Sequence, residues 1–494
     1  MTTPLMTERQ RKAGFFLCLA TIVLAVLDQN IVSAATVPIV RDLDPDHGVD
    51  LIPWLISAFA LAATAALPLY GKLCDVLGAK RVFLGAVTVF LAGSALCGAA
   101  QSMGQLIAFR ALQGIGGGGL MSVTMVVMAH LKGPQEKAGN GKSGSFGGIV
   151  AGVGMALGPL VGGLLSDHAD WRWIFYVNLP VGLAVLFFAA RTLKLPHHTR
   201  RHRIDFLGAG LAAAFSTSLL LVTEWGGKQY AWTSPLVLGL ICGSVAALGL
   251  FLWRQATAAE PVLPLGMFKH PNLRIGFAVQ GLVGMALMGS IVYIMIYLQV
   301  VRGLPATSAG LFLLPMAFGM TVVGIASGRL AAAGWSHKTF VISGTACAVV
   351  AMLLLATTGA GTSLWVIRAE LLLLGVAFGQ LVGQLLQLIQ DSAPREQLGV
   401  ATTGIRFFQT LGSALGAALF GTLLTRVFSA RMPGGNTSTI GTLTGRRHEV
   451  AVHAFVTSMD VVFLAAAGIM ALALLIASRL PARKPAQLEV AIAA

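Results

Sequence analysis

Apolar residues in this chain come in long unbroken blocks, and polar residues gather in the short stretches between them. A helix crossing about 30 Å of hydrocarbon needs about 20 mainly apolar residues, and such windows predict membrane spans. Fourteen occur, near residues 15–40, 51–70, 82–100, 105–128, 144–165, 173–193, 205–223, 234–253, 274–298, 308–327, 339–358, 363–388, 399–426 and 455–478. The pattern predicts an all-α polytopic membrane protein. The first window is too long for a removable signal peptide and has no small-residue cleavage site, so it is expected to remain as the first span.

Composition agrees with the pattern. Hydrophobic residues make up 56% of 494 positions and charged residues 11%, with a mean hydropathy of +0.80. A soluble domain carries roughly 25% charge. The net charge of +15 raises nucleic acid as a partner, but its distribution argues for topology instead. With the N-terminus inside, about 23 of the 34 basic residues fall in cytoplasmic segments, as the positive-inside rule expects. Both termini are then cytoplasmic, and the first outer loop holds Asp42, Asp44, Asp46 and Asp50. The five cysteines are odd in number and lie in or beside spans, which argues against a disulfide framework.

The chain also repeats itself. Leu106, Arg110, Ala111 and a glycine run in span four return as Leu364, Arg368, Ala369 and Gly375 in span twelve. Gly71 and Leu73 return as Gly328 and Leu330, and Gly154 and Gly158 as Gly412 and Gly416. One offset of eight helices fits a duplicated six-helix unit with two inserted helices. The expected division is 1–193 for the first bundle, 194–272 for the inserted pair with its linkers, and 273–494 for the second bundle and tail. Parallel repeats of this sort place a substrate cavity near the midplane, between halves that rock. The segments 191–204 and 428–454 read as flexible loops. His197, His198 and His202 in the first allow a metal, with a solvated loop as the plainer reading.

Charges inside spans are costly and usually line a polar pathway. Counted at about 1.5 Å per residue, Asp28 lies about 10 Å below the outer surface, and Arg110 enters from outside to a similar depth. The two are expected to meet, either as a proton-coupling device or as a static ion pair. Glu370 and Arg406 are further intramembrane candidates for substrate binding, and Asn30 joins them. Arg368 and Glu370 stand two apart and cannot share a helix face. Met285, Met288 and Gln299 fall on one face of span nine, with Met316 in span ten. Methionines of this kind suit either a promiscuous cavity or ordinary packing. The match Gly114-x-Gly116-x-x-Gly119 lies inside a span with no preceding strand, so it reads as packing and not as a dinucleotide site. Gly154, Gly158 and Pro159 form a small-residue, bent face suited to conformational change. Asp42-x-Asp44-x-Asp46 imitates the start of a calcium loop, but His47 stands where glycine is needed.

Taken together these motifs resemble the major facilitator superfamily, and within it the fourteen-helix drug:proton antiporters. Leu27-Asp28 with Pro38 is similar to that family's first-helix motif. Gly71-Lys72-Leu73-Cys74-Asp75-x-x-Gly78-Ala79-Lys80-Arg81 resembles its signature loop. Arg110, Gln113 and Gly114 match its fourth-helix motif, Gly154 to Gly163 its antiport motif, and Trp171-Arg172-Trp173-Ile174-Phe175-x-x-Asn178 a segment typical of the fourteen-helix branch. The resemblance implies a monomeric exporter in the plasma (inner) membrane, driven by the proton gradient without a cofactor and not an enzyme. Its expected substrates are amphipathic, cationic or neutral drugs, dyes or natural products; a dedicated exporter of one metabolite, lipid or antibiotic is the alternative. It also implies coupling roles for Asp28 and Arg110, and gating roles for Gly71, Asp75, Gly78, Arg81, Gly154, Gly158 and Pro159.

Overall fold

A computed structural model describes residues 6–44, 48–131, 165, 170–195, 205–227, 229–304, 306–394, 397–432 and 445–481. Among them, 13 helices are long and apolar enough to cross a membrane. These match thirteen of the fourteen expected windows. The fifth window, with Gly154, Gly158 and Pro159, lies outside the described residues, as do His197, His198 and His202.

The first half contains α1 (Glu8–Ala34), the short α2 (Thr36–Leu43), α3 (Gly48–Leu77), α4 (Ala79–Gly98), α5 (Met103–Leu131), α6 (Trp173–Tyr176) and α7 (Asn178–Thr192). A Thr7–Gln10 capping box starts α1. The window expected to run unbroken to residue 40 is interrupted at Ala35. The reason is Pro38, which a helix accepts in its first turn but not in its interior, so α2 begins afresh just ahead of it.

Next come α8 (Phe206–Trp225) and α9 (Pro235–Thr257), which pack on each other. Asp205 caps α8 through the Gly208 N–H at 3.0 Å, and its carboxylate also meets Arg254 Nε of α9 at 3.0 Å. The second half holds α10 (Pro271–Val300), α11 (Ala306–Leu311), α12 (Leu314–Ala332), α13 (His337–Leu355), α14 (Leu364–Ser392), α15 (Leu398–Arg431) and α16 (Gly445–Ser478). Both α15 and α16 are 34 residues long, about 50 Å, and so outrun the hydrocarbon. The outer loop expected at 428–454 is therefore largely absorbed into these two helices. Only 433–444 lies between them beyond description.

In lipid, apolar side chains gain little by leaving one apolar medium for another, so helices associate by close packing. The glycines of α5 show how. A Cβ on Gly114 would strike the Phe59 carbonyl of α3, and one on Gly118 the Ala63 carbonyl. One on Gly116 would strike the backbone of Phe90 in α4. Thus α5 is clasped between α3 and α4, and its GxGxxG match is a packing surface. In the second half, a Cβ on Gly412 of α15 would strike Gly281 of α10 in the same way. One buried apolar cluster draws only on residues from Met267 to Leu480, and another only on Met6 to Leu195. The halves meet chiefly where α15 lies against α3 and α5.

Candidate functional site

Four elements bring polar side chains to one point inside the first half. Asp28 comes from α1, Ser94 from α4, Arg110 and Gln113 from one turn of α5, and Asn178 from the start of α7. All five are buried; Asp28 is 0% exposed and Arg110 2%. Arg110 Nη1 donates to Asp28 Oδ2 at 3.0 Å and to Gln113 Oε1 at 2.8 Å. Gln113 Nε2 and Asn178 Nδ2 donate to Asp28 Oδ1 at 2.8 and 2.7 Å. Ser94 Oγ accepts from the same two amides at 3.2 and 3.0 Å and donates to the Phe175 carbonyl at 2.9 Å.

An ionised carboxylate only accepts, and every neighbour of Asp28 in this network donates. The guanidinium is held further by aromatic faces, with its carbon 4.3 Å from the Phe59 ring centre and 5.9 Å from that of Phe175. Removing one member of a buried pair of this kind costs about 3–5 kcal/mol, because the other is left uncompensated. The expected meeting of Asp28 and Arg110 is therefore found. Three further members, Ser94, Gln113 and Asn178, receive no role from the sequence alone. Their signal is slight: Gln113 follows Arg110 by one helical turn, and Asn178 is a lone amide beginning an apolar helix.

Arg110 also borders a cavity of about 330 Å³. Its wall comes from both halves: Gln29 of α1, Phe59, Ala63 and Leu67 among others of α3, Gly117 and Met121 of α5, and Arg406 and Thr410 of α15. Asp28 does not reach this space and stands directly behind Arg110. Among the described residues no acidic side chain lines the cavity.

Toward the Glu8 end of the bundle the halves are pinned together. Asp75, near the end of α3, accepts the Gly399 and Val400 backbone N–H groups at 2.8 and 3.0 Å. These belong to the first turn of α15, where a helix presents unpaired donors and the positive end of its dipole. Gly71 lies one turn before Asp75, where a Cβ would strike the Thr403 hydroxyl and stand 3.0 Å from Val400 Cα. Lys72 meets Glu260 at 3.6 Å. Gly78 takes φ 86° and is the N-cap of α4, a backbone conformation that suits glycine. Arg81 is exposed in the first turn of α4.

At the opposite end, Asp42 accepts from Trp171 Nε1 at 3.0 Å and from Arg172 Nη1 at 2.8 Å. Those two bonds hold the Asp42 carboxyl below its ordinary range, the indole first and the guanidinium second. Asp42 of the acidic turn is thus drawn into a protein contact. Among the described residues no group of three or more His, Cys, Asp or Glu is placed to hold a metal.

The other substrate-binding candidates with described side chains lie apart from the cavity, Arg406 excepted. Met288 is 41% exposed on the outer surface of α10, and Gln299 is also exposed. Met285 packs where α10 meets Gly416 of α15, and Met316 is buried where α12 meets Gly375 of α14. Glu370 is buried in the second half and accepts from Thr358 Oγ1 at 2.9 Å. Arg368 points elsewhere, its guanidinium 4.5 Å from both the Phe312 and Trp365 ring centres, so the two do occupy different faces. The side chain of Asn30 lies outside the described residues. Of the candidates with described side chains, only Arg406 reaches the cavity.

A family model for the Major Facilitator Superfamily matches residues 17–417. The chain belongs to that family. It is 36% identical over 435 residues to the "Uncharacterized MFS-type transporter Rv1877" of Mycobacterium tuberculosis (strain ATCC 25618 / H37Rv). That match takes in 88% of this chain but 62% of the relative, so this chain spans less than two thirds of the mycobacterial protein. It is 33% identical over 400 residues to the "Multidrug transporter protein MdtP" of Bacillus subtilis (strain 168), covering 81% of this chain and 73% of the relative. The fold also matches the solved structure of the proton:xylose symporter XylE, with a TM-score of 0.63 at 14% identity, covering 96% of each chain.

Proposed function

We propose that this transporter exports amphipathic organic molecules in exchange for protons. The single observation that carries the reading is the position of Arg110, which is bonded to the buried Asp28 on one side and borders the inter-half cavity on the other. Protonating Asp28 turns an acceptor into a donor and removes the charge that holds Arg110. The released guanidinium can then turn within the cavity. Because α5 is locked to α3 by glycine contacts, and α3 to α15 by Asp75, a change at Arg110 is mechanically linked to the seam between the halves. A relative named "MFS-type efflux pump MFS1" from Trichophyton rubrum (strain ATCC MYA-4607 / CBS 118892), 31% identical over 438 residues, supports export as the direction.

In this reading the protein is a monomer in the plasma membrane with both termini in the cytoplasm. The division is 1–193, 194–272 and 273–494, and the proton gradient supplies the energy with no cofactor. The Asp75 seam is then the cytoplasmic gate in its shut state, with Gly71, Gly78 and Arg81 around it. A gating role for Gly154, Gly158 and Pro159 belongs to the same reading.

Everted membrane vesicles test the reading. With the native protein, adding a transported dye to energised vesicles releases protons from the lumen. Asp28→Asn should abolish that release. Equal release by the two proteins would remove Asp28 from coupling.

A further inference from the structure

Among the described residues the cavity wall carries two guanidiniums, of which one has its counter-charge. Arg110 is neutralised by Asp28. Arg406 is not: among the described residues its side chain meets only Gln409, Nη1 donating to Oε1 at 3.0 Å one turn along the same helix. A neutral amide satisfies one of five N–H groups and none of the charge.

The acids that share the interior with Arg406 are otherwise engaged or distant. Asp28 is fully enclosed and takes all three of its hydrogen bonds from first-half donors. Glu370 is bonded to Thr358 inside the second half. Asp75 is spent on the start of α15. Asp460 on α16 is not among the cavity residues. Residues 144–165, the window expected for the fifth span, contain no Asp or Glu.

Arg406 lies eight residues into α15, about 12 Å from its start, well within a membrane span. A guanidinium stays charged there, and an uncompensated charge at that depth is costly. An anion entering the cavity would relieve the cost. The rest of the wall suits an apolar body: Phe59, Ala63, Leu67 and Met121 offer hydrocarbon, while Thr410, one turn beyond Arg406, offers a hydroxyl. A space of about 330 Å³ falls at the small end of ordinary ligand sites.

We propose that Arg406 is the specificity-determining anchor for an acidic head group, so that this transporter takes small amphipathic carboxylates in preference to cations. The inference rests on the cavity being the site of the transported molecule. It reverses the charge expected from the sequence, because the one deep carboxylate of the first half is hidden behind Arg110 and cannot greet a cation. The planar fork of arginine pairs with both oxygens of a carboxylate, which a single ammonium does not reproduce.

Three fluorophores of one shape test it: anthracene-9-carboxylate, its methyl ester, and 9-(aminomethyl)anthracene. Each is titrated into purified protein in discs of zwitterionic lipid, so that no anionic lipid head competes. The native protein should bind the carboxylate roughly tenfold or more tightly than the ester, as one charge-assisted bond gives. In Arg406→Gln the ratio of carboxylate to ester affinity should fall to about one, with Arg406→Lys in between. A native preference for the ester or the ammonium overturns the proposal even if no variant folds. An unchanged ratio in Arg406→Gln overturns it as well. The same dyes in energised vesicles separate the two readings. Selective carboxylate binding with no movement of any dye removes the export reading and leaves the anchor standing. Export of the ester or ammonium with an Arg406-independent ratio does the opposite.

Discussion

Asn178 Nδ2 lies 2.7 Å from Asp28 Oδ1, while the carbonyl oxygen of the same amide is buried with no hydrogen-bond partner among the described residues. Only the donating end of Asn178 is used, so its value lies in what it gives the carboxylate. Asn178→Leu should therefore destabilise the protein by about 1.5–3 kcal/mol, the range for a hydrogen bond to a charged group. Asn178→Ser, which keeps a hydroxyl donor on a shorter stem, should recover part of that. Thermal unfolding in detergent, followed by tryptophan fluorescence, measures both. A Leu variant as stable as the native protein would show the bond to be dispensable.

Asp75 accepts two backbone N–H groups at once, and this predicts the effect of changing it. The variant Asp75→Asn offers one accepting oxygen and turns an NH2 group toward the other donor. The loss of a cap and of charge at a helix start is worth about 1–2 kcal/mol. The seam should then open roughly tenfold more often. Thr403, 1% exposed beside Gly71, is the reporter. The thiol of a Thr403→Cys variant should react with a water-soluble maleimide several-fold faster when Asp75→Asn is added. An equal rate would mean that Asp75 does not hold the halves together.

Two glycines of the first half should answer differently to the same methyl group. At Gly118 a Cβ strikes the Ala63 carbonyl, whereas at Gly85 nothing lies within 4 Å. Gly118→Ala is expected to lose about 1–3 kcal/mol to overpacking. Gly85→Ala should be neutral or slightly stabilised by better helix propensity. Melting temperatures of the pair decide the matter, and equal values would show that α3 and α5 can part at no cost.

The Asp42 contacts give a pH dependence with a definite sign. The carboxyl is held below its ordinary value of about 3.9, so its contribution is present above that value and is lost as pH falls through the lowered one. Asp42 is half exposed, which keeps the effect small. Native protein should melt slightly above Asp42→Asn at pH 7, and the gap should close below about pH 4. A gap that widened in acid would contradict the assignment.

Much of the architecture was legible because a bilayer leaves little choice: an apolar block of sufficient length has to be a helix that satisfies its own backbone. The meeting of Asp28 and Arg110 followed from counting along those helices. What resisted reading was which apolar face looks where. Lipid, a neighbouring helix and an oily cavity all accept the same side chains, so Met288 pointing outward and Met121 pointing into the cavity carry no distinguishing mark in the sequence. The network around Asp28 was hidden for another reason. Ser94, Gln113 and Asn178 come from three helices and are neutral, so neither charge nor spacing announces that they converge.

The pair α8 and α9 bears on how far the halves can travel. Through Phe215 and Leu219, α8 rests on Leu67 of one half and on Phe407 and Leu411 of the other. A helix leaning on both sides of a rocking joint cannot follow both. In the alternating-access reading proposed above, it would have to slip against at least one of them, and smooth hydrocarbon allows such slippage where interlocking polar groups would not. On that reading α8 serves as a bearing beside the seam.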